Sequence, residues 1–156
     1  MTDDIGLSVR VYLRRARRPD NALPKRRMNR ARPTQPTLAV LVADDDARIR
    51  RGLREMIEFS AEATVIGEAS SAMSVLQLDR ALCPDVVVLD LLLPQAEDGL
   101  GVLRELTARG RPVVAISVLG FLRPQALDSG ASSFLEKGSQ LIEQLMQAMC
   151  SAVTAP

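Results

Sequence analysis

A chain of 156 residues, 47% hydrophobic and 25% charged with a net charge of +1, suits one ordinary domain plus a tail. Trp and His are absent and aromatics make up 3%, so the core must be aliphatic, and neither Ser-His-Asp catalysis nor a phosphohistidine carrier is available to it. No apolar stretch approaches the ~20 residues of a membrane span, and Cys83 and Cys150 lack metal-ligand spacing, which points to free thiols in a reducing cytoplasm.

In chain order, residues 1–37 come first, with ten Lys/Arg against three Asp, a balance of +7. The remaining 38–156 carry ten basic and sixteen acidic residues, a balance of −6. Pro19, Pro24, Pro33 and Pro36 and the scarcity of apolar residues after Leu13 predict a disordered basic extension; only the alternation Ile5, Leu7, Val9, Val11, Leu13 hints at a short strand. Three readings of it stay open: a solvated extension, an arm for nucleic acid or another acidic partner, and a native start at Met28 that would make 1–27 foreign to the protein. From Leu38 the pattern changes. Strand-like 38–43, 64–67, 85–90, 112–117 and 133–135 alternate with helix-like 47–59, 72–82, 99–108, 123–129 and 141–153. Along 47–59, Ile49, Leu53, Met56 and Ile57 mark the packing stripe; along the last helix it is Leu141, Ile142, Leu145, Met146 and Met149. Five strand-helix units predict an α/β fold, a doubly wound parallel sheet with helices on both faces, whose functional crevice lies beyond the carboxyl ends of the strands.

That is where the polar residues fall. Asp44-Asp45-Asp46 follow the first strand, Asp90 ends the third, Ser117 ends the fourth and Lys137 follows the fifth. Carboxylates gathered this closely repel and must share protons or take up a cation, and Mg²⁺ is the hard divalent ion that suits them. With Lys137 and the Ser117 hydroxyl they make a site for phosphoryl transfer, in which an Asp can be the nucleophile. No GxxxxGK[ST] loop for a nucleotide occurs. Residue by residue, blander roles compete: Asp44, Asp45 and Asp46 as helix caps, Asp90 as a turn residue, Lys137 as a solvated lysine, Phe134 as core.

Residues 38–153 resemble a receiver domain of the bacterial two-component response regulators. The resemblance rests on Leu41-Val42-Ala43-Asp44-Asp45-Asp46 with 50–53, on Pro84 through Asp90 with Pro94 and Asp98-Gly99, on Ala115-Ile116-Ser117, and on 126–131 leading into Phe134-Leu135-Glu136-Lys137. It implies a flavodoxin-like five-stranded (βα)5 sheet with strand order 2-1-3-4-5. It further implies that Asp90 accepts the phosphoryl group, from a histidine kinase or a histidine phosphotransfer protein. Mg²⁺ would be held by Asp44, Asp45, Asp90 and the backbone carbonyl of Leu92, Asp44 acting largely through water. Lys137 would grip a phosphoryl oxygen, and Ser117 and Phe134 would form the switch. Output would pass through the face of the fourth helix, fifth strand and fifth helix to a protein target or a second copy, and a stand-alone domain is expected because the sequence stops at Pro156.

The sequence also departs from the family pattern. One extra residue between Asp90 and Asp98-Gly99 should make 95–97 bulge and present Glu97 near the pocket. Val118 is branched where a small residue is common and could shield the phosphoaspartate, and Leu92 replaces a usually polar residue, which argues for slow self-dephosphorylation. The stretch from Ser117 to Gly130 is short and contains Pro124, so the fourth helix should start near Arg123 and be short. If these changes abolish phosphotransfer, the alternative is a phosphorylation-independent adaptor.

Overall fold

Apolar runs bounded by Asp, Pro and Gly become strands, and runs with three- and four-residue apolar spacing become helices. In the computed structural model, which describes residues 37–94 and 96–155, the order is β1 (Leu38–Ala43), α1 (Ala47–Phe59), β2 (Ala63–Ala69), α2 (Ala72–Leu82), β3 (Val86–Asp90), α3 (Ala96–Ala108), β4 (Val113–Ser117), α4 (Arg123–Asp128), β5 (Ser133–Glu136) and α5 (Leu141–Thr154). A 3-10 turn, Gly120–Leu122, precedes α4. The five strands are parallel in the order β2-β1-β3-β4-β5, so the expected doubly wound, flavodoxin-like sheet is present. The basic extension and its hint of a strand lie outside the described residues, as do Gln95 and the side chain of Glu97. Among the described residues no helix is long and apolar enough to cross a membrane.

Alternation along each strand feeds two cores. Val40, Val42, Val86, Val88, Val114 and Ile116 pack under α1 and α5 with Leu53, Ile57, Leu145 and Met149. Leu41, Val87, Leu89 and Ala115 face the other way, under α2, α3 and α4, with Val75, Leu103, Leu106 and Ala126. The unbroken apolar character of β3 and β4 follows, since every residue of both strands is buried. Two residues of the expected stripes are exceptions: Ile49 and Ile142 are 39% and 58% exposed. Ile142 lies about 100° around the helix from the Leu141–Leu145–Met149 line that meets the sheet, and Ile49 sits in the first turn of α1.

The elements end where their chemistry dictates. Asp46 caps α1 by accepting from the Arg48 amide at 2.8 Å, and Ser71 and Ser74 close a reciprocal capping box on α2. Helix α4 begins at Arg123 and runs only six residues, with Pro124 in its first turn where a missing amide proton costs little. Two bounds extend more than one residue beyond the sequence pattern. Helix α3 starts at Ala96 instead of 99, its opening masked by Gly99 and Gly101. Strand β2 runs to Ala69 because its pairing with β1 slips by one residue: Val40 faces Val65, but Leu41 faces Gly67. Ile66 is the extra residue of this bulge. It reverses the alternation, so that Val65 packs under α1, Gly67 meets Leu82 and Leu41 on the opposite face, and Glu68 returns to the α1 side beside Arg54.

Candidate functional site

Strand order reverses between β1 and β3, and the crevice at their carboxyl ends collects the acidic residues. Asp44 follows β1 directly and is buried, its amide bonded to the Ala69 carbonyl at 3.1 Å. Asp90 ends β3 and is 2% exposed, while Asp45 is exposed. Asp44, Asp45 and Asp90 each offer a carboxylate oxygen within 4.8 Å of the others. Lys137 follows β5, and its ammonium donates to Asp44 Oδ2 at 2.5 Å and to Asp90 Oδ2 at 2.7 Å. Burial works against the charge of Lys137, but the hydrogen bonds to Asp44 and Asp90 outweigh it and hold the pKa above the ordinary lysine value.

The remaining carboxylate oxygens are fixed by the backbone. Asp44 Oδ1 accepts from the Asp46 amide at 2.9 Å, and Asp90 Oδ1 from the Leu92 amide at 3.0 Å, which brings the Leu92 backbone up to the cluster. The third acid of the run, Asp46, is not in the cluster. Its side-chain hydrogen bond to Arg48 lowers its pKa to about 2, as befits a helix cap in an ion pair. Capping therefore describes Asp46, while Asp44 and Asp45 turn to the crevice.

Ser117 is fully buried at the end of β4, its hydroxyl oxygen accepting from the Leu119 amide at 3.1 Å. Its carbonyl accepts from the Lys137 amide at 2.8 Å, which ties the β4 and β5 ends together. Phe134, opposite Ala115 and two residues inward from the Ser117–Glu136 pair, is 2% exposed, with the Arg123 guanidinium 5.0 Å from its ring centroid. Val118, beside Ser117, is 55% exposed. Gly99 sets the loop after Asp90 on α3: a Cβ there would lie 2.0 Å from the Leu91 carbonyl oxygen, so only glycine lets the chain pass.

An all-oxygen set of carboxylates, two of them buried and one open to solvent, fits a hard divalent cation such as Mg²⁺. The charge arithmetic agrees, since three carboxylates face a single ammonium. An open cleft of about 570 Å³ between α3 and α4, lined by Arg104, Thr107, Gln125, Asp128 and Ser129, lies at the opposite ends of these helices and holds no such set.

Two contributors carry weaker sequence signals. Arg50 reaches back from α1 to the carbonyls of Asp44 and Asp45, and Glu68 stands behind it on β2. The position of Arg50 six residues beyond Asp44 was the available clue. Buried Asp79, which pairs with Arg109 and Arg111, reads in sequence as one more polar residue of an amphipathic helix.

The response regulator receiver domain family matches residues 40–149. A protein-glutamate methylesterase/protein-glutamine glutaminase of Symbiobacterium thermophilum is 39% identical over 111 residues, 67% of this chain and 30% of that protein. The nitrate/nitrite response regulator protein NarL of Escherichia coli K12 is 33% identical over 122 residues, 76% of this chain and 56% of that protein. The chain thus spans about a third of the methylesterase relatives, and the part matched excludes most of their length. Among solved structures, a LuxR-family two-component response regulator from Aurantimonas sp. SI85-9A1 superposes with a TM-score of 0.69 at 27% identity, covering 75% of this chain and 85% of that one. The response regulator domain of Thermotoga maritima CheB shares the fold, with a TM-score of 0.70 at 23% identity over 77% of this chain and 98% of that one.

Proposed function

The chain belongs to the response regulator receiver family of two-component systems, and on that footing we propose that Asp90 accepts a phosphoryl group from a histidine kinase or histidine phosphotransfer protein. The observation that carries the proposal is the Lys137 ammonium bridging Asp44 and Asp90 while Asp45 stands open beside them. In the transfer, a carboxylate oxygen of Asp90 forms the new bond to phosphorus as the bond from phosphorus to the partner's imidazole nitrogen breaks, and the imidazole leaves with the electron pair. Asp44, Asp45, Asp90 and the Leu92 carbonyl would hold Mg²⁺, which when bound neutralises phosphoryl oxygens. Lys137 exchanges Asp90 for a phosphoryl oxygen, and Ser117 turns its hydroxyl from the Leu119 amide toward the same group. Phe134 and the face of α4, β5 and α5 then pass the change to a protein target or to a second copy of the chain. The methylesterase activity in the relatives' names stays with those proteins. The exposed thiols of Cys83 and Cys150 suit a cytoplasmic setting. We take 38–156 as the receiver unit and 1–37 as an extension of it.

The test is intact mass after incubation with Mg²⁺ and phosphoramidate or acetyl phosphate. The wild type gains one phosphoryl group and the Asp90→Asn variant none. A wild type without gain would sink the phosphoacceptor reading and leave the second one, an adaptor independent of phosphorylation. That reading has its own support in the six-residue α4 and in Phe134, already buried beneath Arg123.

A further inference from the structure

Of the three carboxylates, Asp45 is the one without a local anchor. Asp44 and Asp90 each accept from a backbone amide and from Lys137, whereas no hydrogen bond reaches the Asp45 carboxylate among the described residues. Its direction is therefore set by its backbone, which has left the sheet. Arg50 holds that backbone. Its Nη1 donates to the Asp44 carbonyl at 2.7 Å and to the Asp45 carbonyl at 3.2 Å, two successive carbonyls pinned by one group. The side chain is 16% exposed, and its Nε lies 3.8 Å from Glu68 Oε2. Glu68 is itself held by Arg54.

We propose that Arg50, backed by Glu68, is a positioning residue that aims Asp45 into the cation site. The inference rests on the cation-site reading above. A second role for Arg50, as a positive charge that repels the cation, runs against the geometry. Its Nη1 meets two backbone carbonyls, and its Nε, which makes no hydrogen bond, lies 3.8 Å from the Glu68 carboxylate, so much of its field is compensated locally. Lysine is a poor substitute, because its chain ends one atom short of Nη1 and it has no second nitrogen to stand beside Glu68.

The experiment is a double-mutant cycle on the full chain: wild type, Arg50→Gln, Asp45→Asn and the pair together, with Arg50→Lys alongside. Mg²⁺ affinity is read by displacement of Mn²⁺ through water-proton relaxation, and folding by urea unfolding in EDTA. Arg50→Gln is expected to weaken Mg²⁺ about tenfold, the scale seen when a partner that orients a metal ligand is removed. Arg50→Lys should show a loss in the same direction. In the Asp45→Asn background, Arg50→Gln should add nothing, because the carboxylate it positions is gone. A full, additive loss in the double variant would overturn the proposal, as would unchanged affinity or tighter binding in Arg50→Gln. Amide hydrogen exchange of residues 44–46 in metal-free protein supplies an independent readout, faster in Arg50→Gln than in wild type. No Mg²⁺ uptake by the wild type would remove the cation site itself and this proposal with it; uptake by the wild type with intact affinity in the variant would remove the proposal alone.

Discussion

Lys137→Met removes the ammonium between Asp44 and Asp90 and keeps much of its stem. The two carboxylate side chains are 1% and 4% exposed, so water screens them little. Their oxygens come within 4.8 Å, where two unit charges repel by about 3.5 kcal/mol at an effective dielectric near 20, a repulsion that the ammonium offsets in the wild type and that the substitution leaves uncompensated. Part of that is offset because methionine needs no hydration in a site where lysine is only 14% exposed, leaving an expected net loss of about 2–3 kcal/mol. Urea unfolding at pH 8 in EDTA measures it against wild type. Saturating Mg²⁺ should then recover most of the deficit, since a cation bound only by the folded state stabilises that state and replaces the missing charge. A loss below about 1 kcal/mol in EDTA would refute the reasoning. So would a deficit of equal size with and without Mg²⁺, which would place the effect in packing instead of charge.

Gly99→Ala should cost about 3 kcal/mol, the upper end for overpacking, because the new methyl meets the Leu91 backbone at 2.0 Å and that backbone adjoins Asp90; a melting temperature within a degree of wild type would contradict it. Asp79→Ala leaves Arg109 and Arg111 facing an empty, buried position and should cost about 3 kcal/mol by urea unfolding, nearly all of it present with or without Mg²⁺, as the pair lies away from the acidic crevice. Ser71→Ala removes the α2 cap, for about 1 kcal/mol, and should leave phosphorylation of Asp90 unchanged in the mass assay.

Much of this fold was legible because its strands and helices carry different periods. Val86 to Leu89 and Val113 to Ile116 are short, apolar throughout and rich in Val and Ile, as a strand covered on both faces is. The acidic cluster was legible for a related reason: in a parallel sheet the residue after each strand lands at one edge, so Asp44, Asp90 and Lys137 could be gathered from their places in sequence alone. What escaped was set by contacts between distant elements. Beyond its spacing from Asp44, nothing local distinguishes Arg50 from Arg48 or Arg51, yet one is bound to the crevice and the others to solvent-facing acids. Phe134 under Arg123 likewise depends on where the short α4 lands on β5. The slip in β2 left no mark because Ile66, Gly67 and Glu68 form no alternation to interrupt.

That slip also bears on how the chain avoids its own copies. Strand β2 is the outer strand beside β1, and an outer strand is a template on which a second chain can zip. An inserted residue breaks the regular spacing of amides and carbonyls and adds twist, which spoils the template. Arg54 adds a charged group there, its Nη1 lying 3.5 Å from the Val65 carbonyl. Deleting Ile66 would restore an even ladder, with Val65, Gly67 and Glu68 keeping the faces of their β1 partners Val40, Leu41 and Val42. The single extra residue thus guards the outer edge against aggregation without taking Glu68 from the side of Arg50.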